Sequence, residues 1–241
     1  MQCLIIAAGE GSRLRSRAAS KPLAEIAGRP LIAHIICRAR AAGASHFLVV
    51  TGYRPEPIET FLAGLAQDEG IGIETVRNGE WQRPNGVSVL AAAPRLEAQF
   101  LLLMSDHLFD PAMLASLIAD DSGAALTLAV DYGIDNPLID LDDATKVVAD
   151  QEKRIVRLGK TLADYDAIDT GLFRTGSALV DAIRVSIARG GQGSLSEGVQ
   201  VLADRGAARV HDVSGFWWLD VDDPRALALA EEALGGGKKL I

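Results

Sequence analysis

Two kinds of apolar pattern alternate along the first half of the chain. Short apolar runs, "QCLIIAA" (2–8), "HFLVVTG" (46–52), "IGIETV" (71–76), "QFLLLMSD" (99–106) and "AALTLAV" (124–130), read as strands. Between them, "LIAHIICRARAAG" (31–43), "PIETFLAGLA" (57–66), "GVSVLAAA" (86–93) and "PAMLASLIAD" (111–120) carry apolar residues at helical spacing. Strands buried on both faces and separated by helices predict a mostly parallel sheet with right-handed crossovers. The expected fold class is therefore α/β, a three-layer Rossmann-like core with helices on both sides of the sheet.

After about residue 130 the rhythm changes. "TKVVAD" (145–150) and "RIVRLGK" (154–160), separated by the polar "QEK", predict an inserted β-hairpin rather than another βαβ unit. "DAIDTGLFRT" (166–175) reads as a further strand, "ALVDAIRVSIA" (178–188) and "SEGVQVLAD" (196–204) as helices, and "ARVHDV" (208–213) as a short strand. The aromatic "GFWWLDVDD" precedes a last helix, "PRALALAEEAL" (224–234), with Pro224 in its first turn. No internal repeat or low-complexity tract interrupts this order, so residues 1–241 read as one domain. Its parts are a first half (1–130), a second half (131–222), a C-terminal helix (223–234) and a candidate linker (235–241) that begins in "GGGKK".

A chain of 241 residues that is 49% hydrophobic can bury a substantial core. Its net charge of −8, with no long basic run, argues against nucleic acid or an anionic membrane as a partner and leaves small ligands. Cys3 and Cys37 match no metal spacing and no disulfide framework, which fits a reducing cytoplasm. The apolar N-terminus lacks a basic leader, and no window has the length of a membrane span.

The first strand ends in "AAGEGSRLRSRAASKP" (7–22). Gly9 and Gly11 form G-x-G, but Leu14 stands where a dinucleotide fingerprint needs its third glycine. "RLGKT" (157–161) is not a P-loop either, because Arg154 and Ile155 stand where its first glycine belongs. What remains is a glycine-rich loop at the carboxyl edge of a parallel sheet, where backbone N–H groups can approach phosphate oxygens. Arg13, Arg15, Arg17 and Lys21 add cationic donors, so the expected guest is a polyphosphate.

"LIIAAGEGSRL" followed by "KPL" resembles the signature loop of the sugar-phosphate nucleotidyltransferases, with their GT-A-like fold. "MSDHLF" (104–109), "ATKVV" with "RIVRLGKTLADYDAIDTGLF" (144–173), and "WWLDVDDP" (217–224) are similar to the inositol-1-phosphate cytidylyltransferase branch. The resemblance implies transfer of a cytidylyl group from CTP to a phosphorylated small alcohol, in the first place inositol 1-phosphate, giving CDP-inositol and pyrophosphate. It implies Mg²⁺ held by Asp106 and Asp222, with Asp220 as a further ligand, Arg13 on the β- and γ-phosphates, and Lys21 on the α-phosphate. Ala7, Ala8, Gly9, Gly11 and Ser12 would receive the nucleotide, with Asn85 and Gly86 opposite, although Asn85 serves equally as a helix N-cap.

Candidates for the acceptor side are Lys146, Lys160, Asp169, Thr170, Gly171 and Glu197. The lysines also suit a solvated hairpin, and Glu197 also completes a capping box with Ser194. At least one of Trp217 and Trp218 belongs to the core, and His107 is expected to pack as a neutral imidazole beside the site. Phosphocholine, an aminoethylphosphonate and a sugar 1-phosphate are alternative acceptors; the 5% aromatic content speaks against a quaternary-amine cage. A nucleotide-sensing module without turnover is the alternative from another class. Members of the branch are often joined to a membrane-embedded CDP-alcohol phosphotransferase, for which "GGGKKLI" would suit as a hinge, and a free-standing enzyme is equally consistent with the chain.

Overall fold

The computed structural model describes residues 1–14 and 20–235. Arg15 and Arg17 of the basic loop, and positions 236–241 of the expected linker, lie outside the described residues.

The alternating first half folds as its apolar pattern predicts. From β1 (Gln2–Ala7) the chain passes through the glycine loop and the small hairpin of β2 (Glu25–Ile26) and β3 (Arg29–Pro30) into α1 (Leu31–Ala41). β4 (His46–Thr51), α2 (Pro55–Glu69), β5 (Gly72–Arg77), α3 (Gly86–Ala92) and β6 (Gln99–Met104) follow. β6, β1, β4 and β5 lie side by side, all parallel. Every residue of β1 is buried, and alternate side chains enter opposite cores. Cys3, Ile5 and Ala7 pack with α1 and α2 on one face, while Leu4, Ile6 and Ala8 meet α3 on the other.

The second half begins with β7 (His107–Phe109), α4 (Pro111–Ile118) and β8 (Leu126–Asp131). β9 (Lys146–Ala149) and β10 (Ile155–Gly159) form the antiparallel hairpin expected over 145–160. β11 (Ala167–Gly176), α5 (Ser177–Ala188), α6 (Leu195–Ala203), β12 (Ala208–Asp212), β13 (Trp218–Asp220) and α7 (Pro224–Gly235) complete the order. The sheet runs β10-β9-β11-β6-β1-β4-β5, with β8 pairing both β11 and β12. All its strands but β11 and β10 share one direction. α4 and α7 join the first face and α5 and α6 the second, which gives the three layers.

Neither β7 nor β13 is visible in the sequence pattern. They pair only with each other, aligning Asp220 with His107 and Trp218 with Phe109. Two further bonds extend this ladder: Asp110 N–H donates to the Trp217 carbonyl and Val221 N–H to the Asp106 carbonyl, both at 2.9 Å. The last part of the chain is thereby fixed to the carboxyl end of β6.

β11 carries a second local device. Its register against β8 shifts between Asp169 and Phe173, and Gly171 sits there at φ +77°. A Cβ at Gly171 would stand 2.2 Å from His107 Nδ1, so both backbone conformation and close approach require glycine. Gly171→Ala is expected to cost about 2–4 kcal/mol through backbone strain and overpacking, read as a fall of about 5–15 °C in thermal midpoint. An unchanged midpoint would show that the imidazole can move aside without loss.

Cys3 and Cys37 are both free, and burial pushes the Cys3 thiol pKa up. Among the described residues, no helix is long and apolar enough to cross a membrane.

Candidate active site

The glycine loop places Lys21 by close packing. Gly11 adopts φ +58°, and a Cβ there would lie 2.3 Å from Lys21 Cβ. Lys21 opens a single turn of 3₁₀ helix, Lys21–Leu23, and its side chain is only 10% exposed. Its ammonium donates to Asp106 Oδ2 at 2.6 Å and to Asp222 Oδ1. Burial opposes the Lys21 charge, but Asp106, Asp220 and Asp222 raise its pKa above the ordinary lysine range.

Asp106 follows the end of β6, and Asp222 follows β13. Burial alone would raise the Asp106 pKa, but Lys21 and His107 hold it below the usual value. Asp222 is raised, by burial first and then by the charge of Asp220. His107 Nε2 lies 3.4 Å from Asp220 Oδ2 and 3.7 Å from Asp106 Oδ1, while Nδ1 is 2.7 Å from the Thr170 carbonyl. Burial disfavours the imidazolium, yet Asp220, Asp106 and the Thr170 carbonyl bring its pKa up to about 10. In the free protein the carboxylates around it therefore favour the imidazolium, where the sequence led us to expect a neutral His107.

Two cavities meet at these carboxylates. One, of about 290 Å³, is lined by Gly9, Gly11, Ser12, Arg13 and Lys21. The other, of about 600 Å³, is lined by second-half residues that include Lys160, Asp169, Gly171 and Trp218. Asn85, Met104, Asp106 and Asp222 border both. The larger volume is of small-molecule size.

Several expected positions differ. The Ala7 and Ala8 side chains are buried in opposite cores, so only Gly9 of that trio lines the smaller cavity. Asn85 makes no cap bond; its Oδ1 accepts from Leu195 N–H at 2.9 Å and ties the starts of α3 and α6 together. Gly86 lines neither cavity, and a Cβ there would lie 2.5 Å from the Gly193 carbonyl oxygen, so glycine serves the close approach of the chain before α6. Lys146 turns away from the cavity, donating to the Lys160 carbonyl at 2.9 Å and lying over the Tyr165 ring. Thr170 is fully buried and donates to the Ala129 carbonyl, so it cannot reach an acceptor hydroxyl. Glu197 closes a capping box with Ser194 and accepts from the N–H groups of Gln192, Gly193 and Ser194, which corrects its placement facing the acceptor.

Asp169 does face the larger cavity, and burial pushes its carboxyl up to about 6. Lys160 also lines it, as does Trp218, whose Nε1 donates to buried Asp131 at 2.8 Å. Trp217 packs partly buried at the first core, beneath the Arg38 guanidinium.

The segment between β8 and β9 is absent from the expected site, yet Asp140, Asp142 and Asp143 line the larger cavity. Asp143 accepts from Arg13 at 2.6 Å and from Lys160. The acidic "DLDDATK" just before the hairpin is the signal that marks this segment. Asp223 and Arg225, at the start of α7, also reach the cavity. Its lining carboxylates, Asp106, Asp140, Asp142, Asp143, Asp169, Asp220, Asp222 and Asp223, exceed Lys160, Arg225 and His107. An anionic ligand entering such a cavity needs a cation with it. Asp106 Oδ1 and Asp220 Oδ1 are buried without a hydrogen-bond partner, and ligand atoms of Asp106, His107 and Asp220 lie within 4.8 Å of one another. Orphaned hard oxygens of this kind fit a divalent cation.

The family described as MobA-like NTP transferase domain matches residues 3–157. A bifunctional IPC transferase and DIPP synthase of Rubrobacter xylanophilus is 34% identical over 237 residues, 96% of this chain and 51% of that protein. The protein of the same name from Aquifex aeolicus is 30% identical over 235 residues, again 96% of this chain and 51% of its own. The chain thus spans about half the length of these curated relatives. A solved structure of the inositol-1-phosphate CTP transferase from T. maritima superposes with a TM-score of 0.85 at 24% identity, covering 99% of this chain and 98% of that one.

Proposed function

From the premise that this chain belongs to the MobA-like NTP transferase family, we propose that it transfers the cytidylyl group of CTP to the phosphate of inositol 1-phosphate, giving CDP-inositol and pyrophosphate. The observation that carries this reading is the meeting of two cavities at Asp106 and Asp222, one built from the glycine loop and the other from the second half. A triphosphate in the first and a phosphorylated alcohol in the second would bring their phosphates together at that border. The names of the two relatives, and of the T. maritima structure, support cytidine as the nucleoside and inositol as the alcohol.

An acceptor phosphate oxygen bonds to the α-phosphorus of CTP, and the bond to the bridging β-oxygen breaks, its electron pair leaving on pyrophosphate. The acceptor phosphate is mostly dianionic near neutral pH, its second pKa being about 6, so no side chain need remove a proton. Arg13 would hold the β- and γ-phosphates and Lys21 the α-phosphate, each leaving the carboxylates it binds in the free protein. Lys160 would hold the acceptor phosphate and Asp169 a ring hydroxyl, both from the wall of the larger cavity. Asp106 and Asp222, with Asp220 as further ligand, would hold Mg²⁺. Bound there, it would supply charge neutralisation to the reacting phosphates. His107 positions Asp220 while itself anchored to the Thr170 carbonyl.

We further propose that the chain works at the cytoplasmic side and that a membrane-embedded CDP-alcohol phosphotransferase consumes the product; the relatives' names carry a second activity, DIPP synthase, beside the transferase. Pyrophosphate release with Mg²⁺ tests the central claim, measured for CTP, UTP, GTP, ATP and dTTP against inositol 1-phosphate, phosphocholine, aminoethylphosphonate and glucose 1-phosphate. Release confined to CTP with inositol 1-phosphate is the expected result. Release with another acceptor overturns the assignment of the larger cavity, and nucleotide binding without any release overturns the enzyme.

A further inference from the structure

Arg13 and Lys160 come from opposite halves of the chain, and each stands where the proposed reaction needs a partner for phosphate. Both are held by one carboxylate that the reaction does not use. Asp143 Oδ2 accepts from Arg13 Nη2 at 2.6 Å, and Oδ1 accepts from Lys160 Nζ. The hydrogen bonds from Lys160 and Arg13 keep the Asp143 carboxyl well below the usual carboxylate range, although burial opposes them. A turn presents the side chain: Asp143 N–H donates to the Asp140 carbonyl at 3.1 Å and Ala144 N–H to the same oxygen at 2.8 Å. Asp143 therefore stands at the border of the larger cavity, between the cation of one substrate and the cation of the other.

The geometry points to Asp143 as an internal stand-in for phosphate, a counter-ion that occupies the donor-side and acceptor-side cations of the free protein and that both substrates must displace. This rests on the reaction proposed above. A carboxylate oxygen and a phosphate oxygen are both anionic acceptors for the same guanidinium or ammonium donors, so one excludes the other. A phosphate carries more charge and wins once bound, but its net affinity is reduced by the ion pair it breaks. The same pairing keeps two cations from collapsing onto neighbouring carboxylates when no substrate is present. It also offers both cations a partner as pyrophosphate leaves.

The test uses the full chain with Mg²⁺ held at one constant concentration throughout, and two inorganic probes: pyrophosphate for the donor side and phosphate for the acceptor side. Their binding is measured by titration calorimetry for the parent, Asp143→Asn and Asp142→Asn. Asp142 lies on the same segment and lines the same cavity, but its side chain makes neither contact, so its variant reads the loss of one nearby charge alone. Asp143→Asn is expected to bind each anion about fivefold more tightly than the parent, the upper range for one partly exposed ion pair, while Asp142→Asn stays within about twofold. Equal behaviour of the two variants, or no gain for Asp143→Asn with either anion, overturns the proposal. Because neither probe contains a nucleoside or an alcohol, the outcome stands apart from the substrate assignment, which the pyrophosphate-release matrix decides separately.

Discussion

Lys21→Ala is expected to lower turnover by about 10²–10³-fold while changing nucleotide affinity far less. The ammonium is placed to meet charge that builds on the α-phosphate in the transition state, and losing one such group typically costs two to three decades in rate. Arg13 and the backbone of the glycine loop remain to hold the rest of the triphosphate, so binding suffers less. A second readout separates this role from simple disruption. In the free protein Lys21 lies between Asp106 and Asp222, and removing it leaves two carboxylates facing each other in a partly buried place. Breaking a buried ionic arrangement in this way costs up to about 3–5 kcal/mol. The variant should therefore melt earlier than the parent without divalent cation and recover more of its stability than the parent gains when Mg²⁺ is added, since no ammonium competes for the same oxygens. Turnover within about tenfold of the parent would remove Lys21 from the chemistry.

Asp106→Asn should be as severe for turnover but opposite in what it does to the cation. The amide keeps the shape of the side chain and its place after β6, so the fold and the ladder between β7 and β13 are retained. It loses the charge, and with it one of the two carboxylate oxygens that are buried at the site without a hydrogen-bond partner. A hard divalent cation prefers charged oxygen donors, and the charge neutralisation it brings to phosphate transfer is worth several kcal/mol, or again about two to three decades. Mn²⁺ binding followed by electron paramagnetic resonance should weaken at least tenfold in Asp106→Asn, whereas Lys21→Ala should bind the ion at least as well as the parent. If both variants bound Mn²⁺ like the parent, the cation would have to sit elsewhere in the cavity.

Much of this was legible from the chain itself, and what was not has identifiable causes. β1, β4 and β6 announce themselves because central parallel strands must be apolar on both faces. β7 and β13 do not, since a three-residue strand has no period to read and exists only through its partner. The reversal at β11 was equally hidden: apolar alternation reports burial, not direction. Side-chain roles followed the same division. Asp169 and Thr170 are neighbours on a strand and must face opposite ways, so naming both as acceptor contacts contradicted the two-residue period; only Asp169 reaches the cavity. The Ser194–Glu197 spacing was a sufficient sign of a capping box. Lys146 and Lys160 could not be told apart, because what separates them is the Asp143 carboxylate, brought from a segment whose acidic residues resemble any solvated loop.

The β7–β13 ladder also sets an order of events during synthesis. The glycine loop, Lys21 and Asp106 leave the ribosome early, but Asp222 arrives only after the whole stretch between Phe109 and Trp218. Until Trp218–Asp220 zips onto His107–Phe109, a nascent chain presents Lys21 and Asp106 without their third member. The full set of charged groups is therefore assembled only when that late strand is in place, and a nascent chain that still lacks it should not turn substrate over.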